Sequence, residues 1–425
     1  MSILTKFGGA SLFALAVAMA SPAAAVNLKF YYPVAVTGPL TKIISEMVDE
    51  FHKEYPDINV EPVFAGNYAD TLTKSLTAAR GGQPPQVVVA AASDTFTLID
   101  EDAVVPLEDV ITDADKPWLD GFMAPFMSNI KIDGKTWGVP FQRSVQVLLY
   151  NKDKFKEAGL NPDQGPANWD ELVEAAKKLT VSENGTTSQW GVLIPSGYTA
   201  RWYFNGLSIP AGADLTNDAG TEVNLASPES ISAMQFLADL SQKYNVMPKG
   251  IINTGTAPDE FINGRAAMLY ASTGNIANVR EQAKFALGVG LIPAGKQPGG
   301  PTGGGNMVIF KGGTAEQQQA SLTFIKWMTS AERSAQWSID TGYVAGRQDA
   351  WETPTMKAYI EKYPEMLVTL HQLENAKPEF GTHNGARVTK ALEDAIAQVV
   401  TGQSDARTAL EAAQKTAEGL LREYK

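Results

Sequence analysis

Residues 28–91 read LKFYYPVAVTGPLTKIISEMVDEFHKEYPDINVEPVFAGNYADTLTKSLTAARGGQPPQVVVAA. Leu28, Phe30 and Tyr32 alternate as the buried face of a strand does. Leu40, Ile43, Ile44, Met47 and Phe51 then recur at helical spacing up to Tyr55-Pro56, where proline ends the pattern. Alternation resumes at Ile58, Val60 and Phe64 and stops at Gly66-Asn67. Leu72, Leu76 and Ala79 form a second helical pattern closed by Gly81-Gly82. The unbroken apolar run Val87-Val88-Val89-Ala90-Ala91 is what a strand covered on both faces requires, and such strands are usually parallel. Strand, helix, strand, helix, strand predicts an α/β fold.

Downstream, Asp133-Gly134 lies between Ile130 and Ile132 on one side and Trp137 and Val139 on the other, a hairpin signal. Val145 to Tyr150 reads as a further apolar strand. Asn168 caps a helix with Glu171 at its third position, and Ser227-Pro228 opens another with proline in the first turn. Phe285 to Pro293 is a predicted strand, and Lys296 to Gly305 a Gly/Pro-rich loop ahead of the apolar run Met307 to Phe310. From Ala315 to Lys425 the pattern is mostly helical, and no repeat of fixed period is apparent.

A chain of 425 residues that is 44% apolar and 19% charged has the composition of an ordinary globular protein of two or three domains. Thirty-five basic against 47 acidic residues give a net charge of −12, which repels a polyphosphate backbone and argues against nucleic acid as a partner. Cysteine is absent, so disulfides, thiolate chemistry and Cys-based metal sites are excluded. With His52, His371 and His383 the only histidines, a catalytic or metal-binding histidine has three candidates.

Residues 1–25 carry one charge, Lys6, then an apolar run from Leu12 to Ala20 and the small residues Ser21-Pro22-Ala23-Ala24-Ala25. This is the three-part pattern of a secretory signal cleaved after Ala25, and the apolar run is far short of the ~20 residues that span a bilayer. Loss of Lys6 takes the mature chain from −12 to −13. An exported chain without cysteine suits a bacterial periplasm.

Gly138-Val139-Pro140-Phe141, then Leu148 to Phe155, Ala158-Gly159-Leu160 and Asn168-Trp169-Asp170-Glu171-Leu172 resemble, in that order, the extracellular solute-binding proteins of ABC importers, in the branch that includes maltose-binding protein. Phe261 to Met268 and Thr341-Gly342-Tyr343 add to the likeness. Gly66-Asn67-Tyr68, Ala271 to Arg280 and Ala283-Lys284-Phe285 look most like the sn-glycerol-3-phosphate binders of that group. The resemblance implies a two-lobe (type II, flytrap) periplasmic binding protein with interleaved lobes and a helical C-terminal region. Lobe one would comprise residues 26–141 and 308–335, lobe two residues 145–304, and residues 340–425 would complete lobe two and the cleft. The crossings are expected at Phe141 to Ser144 and near Met307.

The same resemblance implies a ligand set. Tyr68 would reach the ligand, although spacing alone would make it a packing tyrosine. Ser144 would donate from the first crossing. Trp169 would lay its indole on the ligand's carbon skeleton, or else pack at a helix start. Ser272, Gly304, Tyr343 and Arg387 would hold the phosphate, with arginine suited to it by its planar, permanently charged fork. One position departs from the pattern: where those binders carry a glutamate for the glycerol hydroxyls, this chain has Ala92, with Asp94 two residues on as a substitute or a helix cap. The expected ligand is a phosphorylated solute such as glycerol 3-phosphate, a glycerophosphodiester or a sugar or polyol phosphate. A neutral mono- or oligosaccharide is the alternative, with Trp169, Trp202 and Tyr203 as stacking faces. A secreted hydrolase finds little support, since no carboxylate pair stands out by spacing. The expected partners are the solute and the transporter's transmembrane subunits, with a monomeric chain and neither cofactor nor metal.

Overall fold

The structure, a computed structural model, describes residues 25–425; the signal sequence read in residues 1–25 thus lies, but for Ala25, outside the described residues. Strand β1 (Val26–Tyr32), helix α1 (Leu40–Glu54), β2 (Ile58–Phe64), α2 (Tyr68–Arg80) and β3 (Val87–Ala91) follow in the expected order. β1 pairs in parallel with both β2 and β3, and all five residues of β3 are buried, as its uninterrupted apolar run requires. α1 buries Leu40, Ile44, Met47, Val48 and Phe51 along one stripe. The Asp133-Gly134 hairpin forms with positive φ at both central residues, the geometry that matches strand twist.

Two long strands carry the chain between lobes. β4 (Val139–Asn151) is buried along its whole length. Its first half, to Val145, pairs with β7 (Gly300–Ile309), and its second half pairs with β5 (Met268–Ser272) and β6 (Leu287–Gly290). With the short β8 (Ala376–Lys377) on β7, these make an eight-stranded sheet with β6-β4-β7-β3-β1-β2 as its main path. One core gathers residues of 28–141 and 307–343, and a second those of 147–292 and 366–421. A third, smaller cluster sets Phe126 and Val145 against residues 335–373, so the C-terminal region is divided between the second core and this cluster. The segment Gly300–Gly305, expected as loop, is strand. Its glycines serve close packing: a Cβ on Gly303 would lie 2.5 Å from the Trp202 indole nitrogen.

Gly304 combines a φ of +89° with a would-be Cβ 1.8 Å from the Gln142 carbonyl oxygen. Gly304→Ala is therefore expected to cost about 2 kcal/mol or more. Thermal denaturation reads this as a lowered Tm, and an unchanged Tm would mean that the β4–β7 pair can widen freely.

In lobe two, α3 (Trp169–Leu179), α4 (Ala200–Ala211) and α5 (Pro228–Gln242) share one core with the second half of β4, joined by α6 (Gly385–Val400) from the C-terminal region, and α4 packs against β7. Asn168 and Ser227 cap α3 and α5 as expected. No helix among the described residues is long and apolar enough to cross a membrane.

Candidate functional site

The lobes meet across a cleft. Asn278 Nδ2 donates to Thr37 Oγ1 at 2.9 Å, and Arg201 Nη2 donates to Ser93 Oγ at 2.6 Å. Between them lies a cavity of about 290 Å³, close to the lower end of the ~300–1,000 Å³ usual for small-molecule sites. Lobe one supplies the turn after β1 and the start of α2, the crossing strands supply Ser144 and Gly304, and lobe two supplies Ser272 and the start of α4. Tyr343 and Glu379 close it from the C-terminal region.

Tyr68 is placed by a capping box: Asn67 Oδ1 accepts from Asp70 N at 2.9 Å, and the Asp70 carboxylate accepts from Asn67 N at 3.2 Å. Its hydroxyl donates to Gln142 Oε1 at 3.2 Å. Burial, with Tyr343 and Glu379 nearby, holds the Tyr68 phenol well above its ordinary pKa, so it stays a neutral donor. Tyr343 is almost wholly buried, stacked on Trp337, and burial raises its pKa too. Ser272 ends β5, where its Oγ accepts from Gly274 N at 3.2 Å and its own proton remains to be donated. Tyr68, Ser144, Ser272, Gly304 and Tyr343 thus converge on one cavity.

Two other expected residues do not. Trp169 packs on Phe236 with ring centroids 4.2 Å apart and planes 7° from parallel and does not line the cavity. That stack, inside the Asn168 cap, is the packing role at a helix start. Arg387 is exposed on the first turn of α6 and outside the cavity lining, because the buried stripe of that helix runs through Val388, Leu392, Ala395 and Ile396. Asp94 sits one step back from the cavity beside Arg201, and burial pushes its carboxyl up to about 6.

The cation in the cavity wall is Arg201, on the first turn of α4. Its Nε–H is buried without a hydrogen-bond partner among the described residues. Behind the wall lies Arg143, fully buried, donating to Asn306 Oδ1 at 3.2 Å and Asn129 Oδ1 at 3.3 Å; burial lowers its pKa to about 10. Glu379 faces both cations. It is 7% exposed, and burial pushes its carboxyl up to about 7 against the pull of Arg201 and Arg143. Its Oε1 accepts from Ser93 N at 3.2 Å. A carboxyl group therefore reaches the position next to Ala92 after all, from 286 residues further along the chain. Sequence reasoning missed both Arg201 and Glu379. The only local signal for Arg201 was its place before the aromatic pair Trp202-Tyr203, and Pro378-Glu379-Phe380 carried none.

None of the three histidines lines the cavity. His52 accepts from Val60 N at 2.9 Å and His383 pairs with Asp100 at 2.6 Å. Among the described residues there is no group of three or more histidine, aspartate or glutamate side chains able to hold a metal ion. What the arrangement offers is a set of donors, with the Glu379 carboxyl among them, around a half-open cavity between the lobes.

Comparison with known proteins accords with that reading. The family described as bacterial extracellular solute-binding protein matches residues 46–366. The sn-glycerol-3-phosphate-binding periplasmic protein UgpB of Escherichia coli K12 is 30% identical over 98% of this chain and 97% of its own. Its counterpart in Pectobacterium atrosepticum is 28% identical over 98% and 96%. In fold, the chain is similar to UgpB from Mycobacterium tuberculosis in complex with glycerophosphocholine, with a TM-score of 0.83, 22% identity and coverage of 94% of this chain and 99% of that one. It is similar also to maltose-bound MalE3 of T. maritima, with a TM-score of 0.81, 24% identity and coverage of 93% and 100%. The chain belongs to the bacterial extracellular solute-binding protein family, as the periplasmic solute-binding component of an ABC transporter that hands a small molecule to the membrane subunits and is not an enzyme.

Proposed function

We propose that the captured solute is phosphorylated and of glycerol-3-phosphate type: glycerol 3-phosphate itself, a glycerophosphodiester or a related sugar or polyol phosphate. The observation that carries this reading is Arg201, a guanidinium with an unsatisfied buried Nε–H, sharing one cavity with the hydroxyls of Tyr68, Ser144, Ser272 and Tyr343. Arginine and hydroxyl donors are what phosphate oxygens require when water is excluded. Gly304 permits close approach of backbone at the same place. A ligand touching both lobes favours their closed arrangement, and that population shift is the signal for the membrane subunits. Residues 1–25 act as the export signal in this reading, and the mature protein works as a monomer. The names of the UgpB relatives support a phosphate ester.

A neutral saccharide is the second reading, supported by the aromatic side chains Tyr198, Trp202 and Tyr203 on the cavity wall. Titration calorimetry with glycerol 3-phosphate, glycerophosphocholine, a sugar phosphate and maltose separates the two. Heat with at least one phosphate ester and none with maltose is expected; heat with maltose alone would sink the phosphorylated reading.

A further inference from the structure

The lobes also touch at a place outside the cavity. Leu98 packs in the first core, and Asp100, two residues on, ends the short helix Thr95–Asp100. Opposite it, His383 lies between Phe380 and Val388 in the sequence, both of them in the second core. His383 Nδ1 and Asp100 Oδ1 are 2.6 Å apart, and Asn384 N donates to Asp100 Oδ2 at 3.3 Å. A carboxylate only accepts, so the imidazole donates here whether neutral or protonated. Two rings lie against that imidazole. Tyr424, packed on the second core, is stacked on it with centroids 4.6 Å apart and planes 17° from parallel, and Phe96 of lobe one approaches with its centroid at 4.8 Å. Phe96 and Gly381 line a further interlobe space to which no residue of the crossings, 141–144 or 305–307, contributes. The contact therefore joins the lobes on a side of the cleft away from the hinge strands.

Each partner is fixed to its own lobe. His383 N donates to the Gly220 carbonyl at 3.1 Å, and Asn384 Nδ2 donates to the Leu420 carbonyl at 3.4 Å, at the end of the helix Ala406–Leu420 that packs in the second core. Phe96 fits against Gly220, where a Cβ would lie 2.7 Å from its ring. The side chains of His383 and Asp100 are only 17% and 20% exposed, so the pair is largely protected from the screening that makes open surface pairs weak. A rigid-body opening of the lobes would break the hydrogen bonds and part the rings together. The Arg201–Ser93 bond also joins the lobes, but Arg201 lines the cavity, where a solute competes for it.

We propose that His383 and Asp100 form a clasp between the lobes that sets how much of the protein is closed before any solute arrives. The clasp is independent of what the solute is, because neither side chain lines the cavity. A contact made only in the closed arrangement adds its free energy to closure. It raises the affinity for every solute that binds the closed form, and by the same factor.

The test removes the clasp from either side, with His383→Ala on one lobe and Asp100→Ala on the other, so that one misfolded variant leaves the other to decide. Small-angle X-ray scattering on the mature chain reads the opening of the lobes, and thermal denaturation checks that each variant folds. Calorimetry with glycerol 3-phosphate, glycerophosphocholine and maltose reads affinity for each probe that binds. Each folded variant is expected to have a larger radius of gyration than wild type without solute and the same one at saturation. Affinity should fall by about fivefold, by the same factor within about twofold for every probe that binds. The double variant should lose no more than the weaker-binding single one, since both substitutions remove one contact. Unchanged radius and affinity in the folded variants, losses that differ between probes, or additive losses in the double variant overturn the clasp. If none of the three probes binds wild type, the phosphorylated reading fails on its own, and the scattering alone supports or overturns the clasp.

Discussion

Arg201→Ala is expected to weaken binding of a phosphorylated solute by about 100-fold, the loss of two charge-assisted hydrogen bonds in a water-poor site. Arg387→Ala is expected to change it less than about twofold, since an exposed guanidinium outside the cavity is screened by water. Arg201→Lys should fall between the two, keeping the charge but losing the fork. The comparison also bears on ligand class, because a neutral sugar would lose little affinity on removal of either charge. Calorimetry on the three variants decides. If Arg387→Ala costs tenfold or more while Arg201→Ala costs nothing, the phosphate-binding cation lies on α6 and the cavity reading is wrong. Arg201 also neutralises Asp94, Glu379 and Glu393, so its alanine variant should have a lower Tm at pH 8 than at pH 5 by a wider margin than wild type.

Glu379→Gln is expected to remove much of the protein's sensitivity to pH between about 5 and 8. Burial raises the Glu379 carboxyl from its ordinary 4.5 to about 7 and Asp94 from 3.8 to about 6. In that window the folded protein holds protons that the unfolded chain has released. Stability therefore falls as pH rises, and the full penalty is present above pH 7. For ligand-free wild type, Tm should drop by several degrees between pH 5 and pH 8. Glu379→Gln should flatten that drop, leaving the smaller contribution of Asp94. An anionic ligand placed beside Glu379 should meet the same charge, so wild-type affinity for glycerol 3-phosphate should fall by about tenfold from pH 6 to pH 8, and less in the variant. Scanning fluorimetry and calorimetry across that range provide the readings. Parallel pH profiles for the two proteins would show that Glu379 is not the titrating group.

The alternating and helical patterns of residues 28–91 were enough to place β1, α1, β2, α2 and β3, because each depends on contacts within a few residues and on one buried face. Caps at Asn168 and Ser227 and the Asp133-Gly134 hairpin were legible for the same reason, their hydrogen bonds spanning three or four positions. The run Gly300–Gly305 misled, since glycines that signal a loop locally were required by Trp202 and Gln142 from elsewhere in the chain. Within the site, Tyr68, Ser144, Ser272, Gly304 and Tyr343 came with recognisable motifs on strand ends and helix starts. Trp169 and Arg387 came with motifs too, and only packing decided that one stacks on Phe236 and the other faces solvent.

Composition and local pattern alone determined an α/β chain without thiol chemistry, and motif order assigned it to solute binders. The charge balance of the cleft was decided by tertiary structure. Arg201 meets Ser93 across 108 residues and Glu379 meets it across 286, and no local pattern encodes either approach. The cleft is the seam between two cores made from interleaved stretches of chain. Its chemistry is set by which side chains those cores leave facing each other, a property of their packing and not of any one segment.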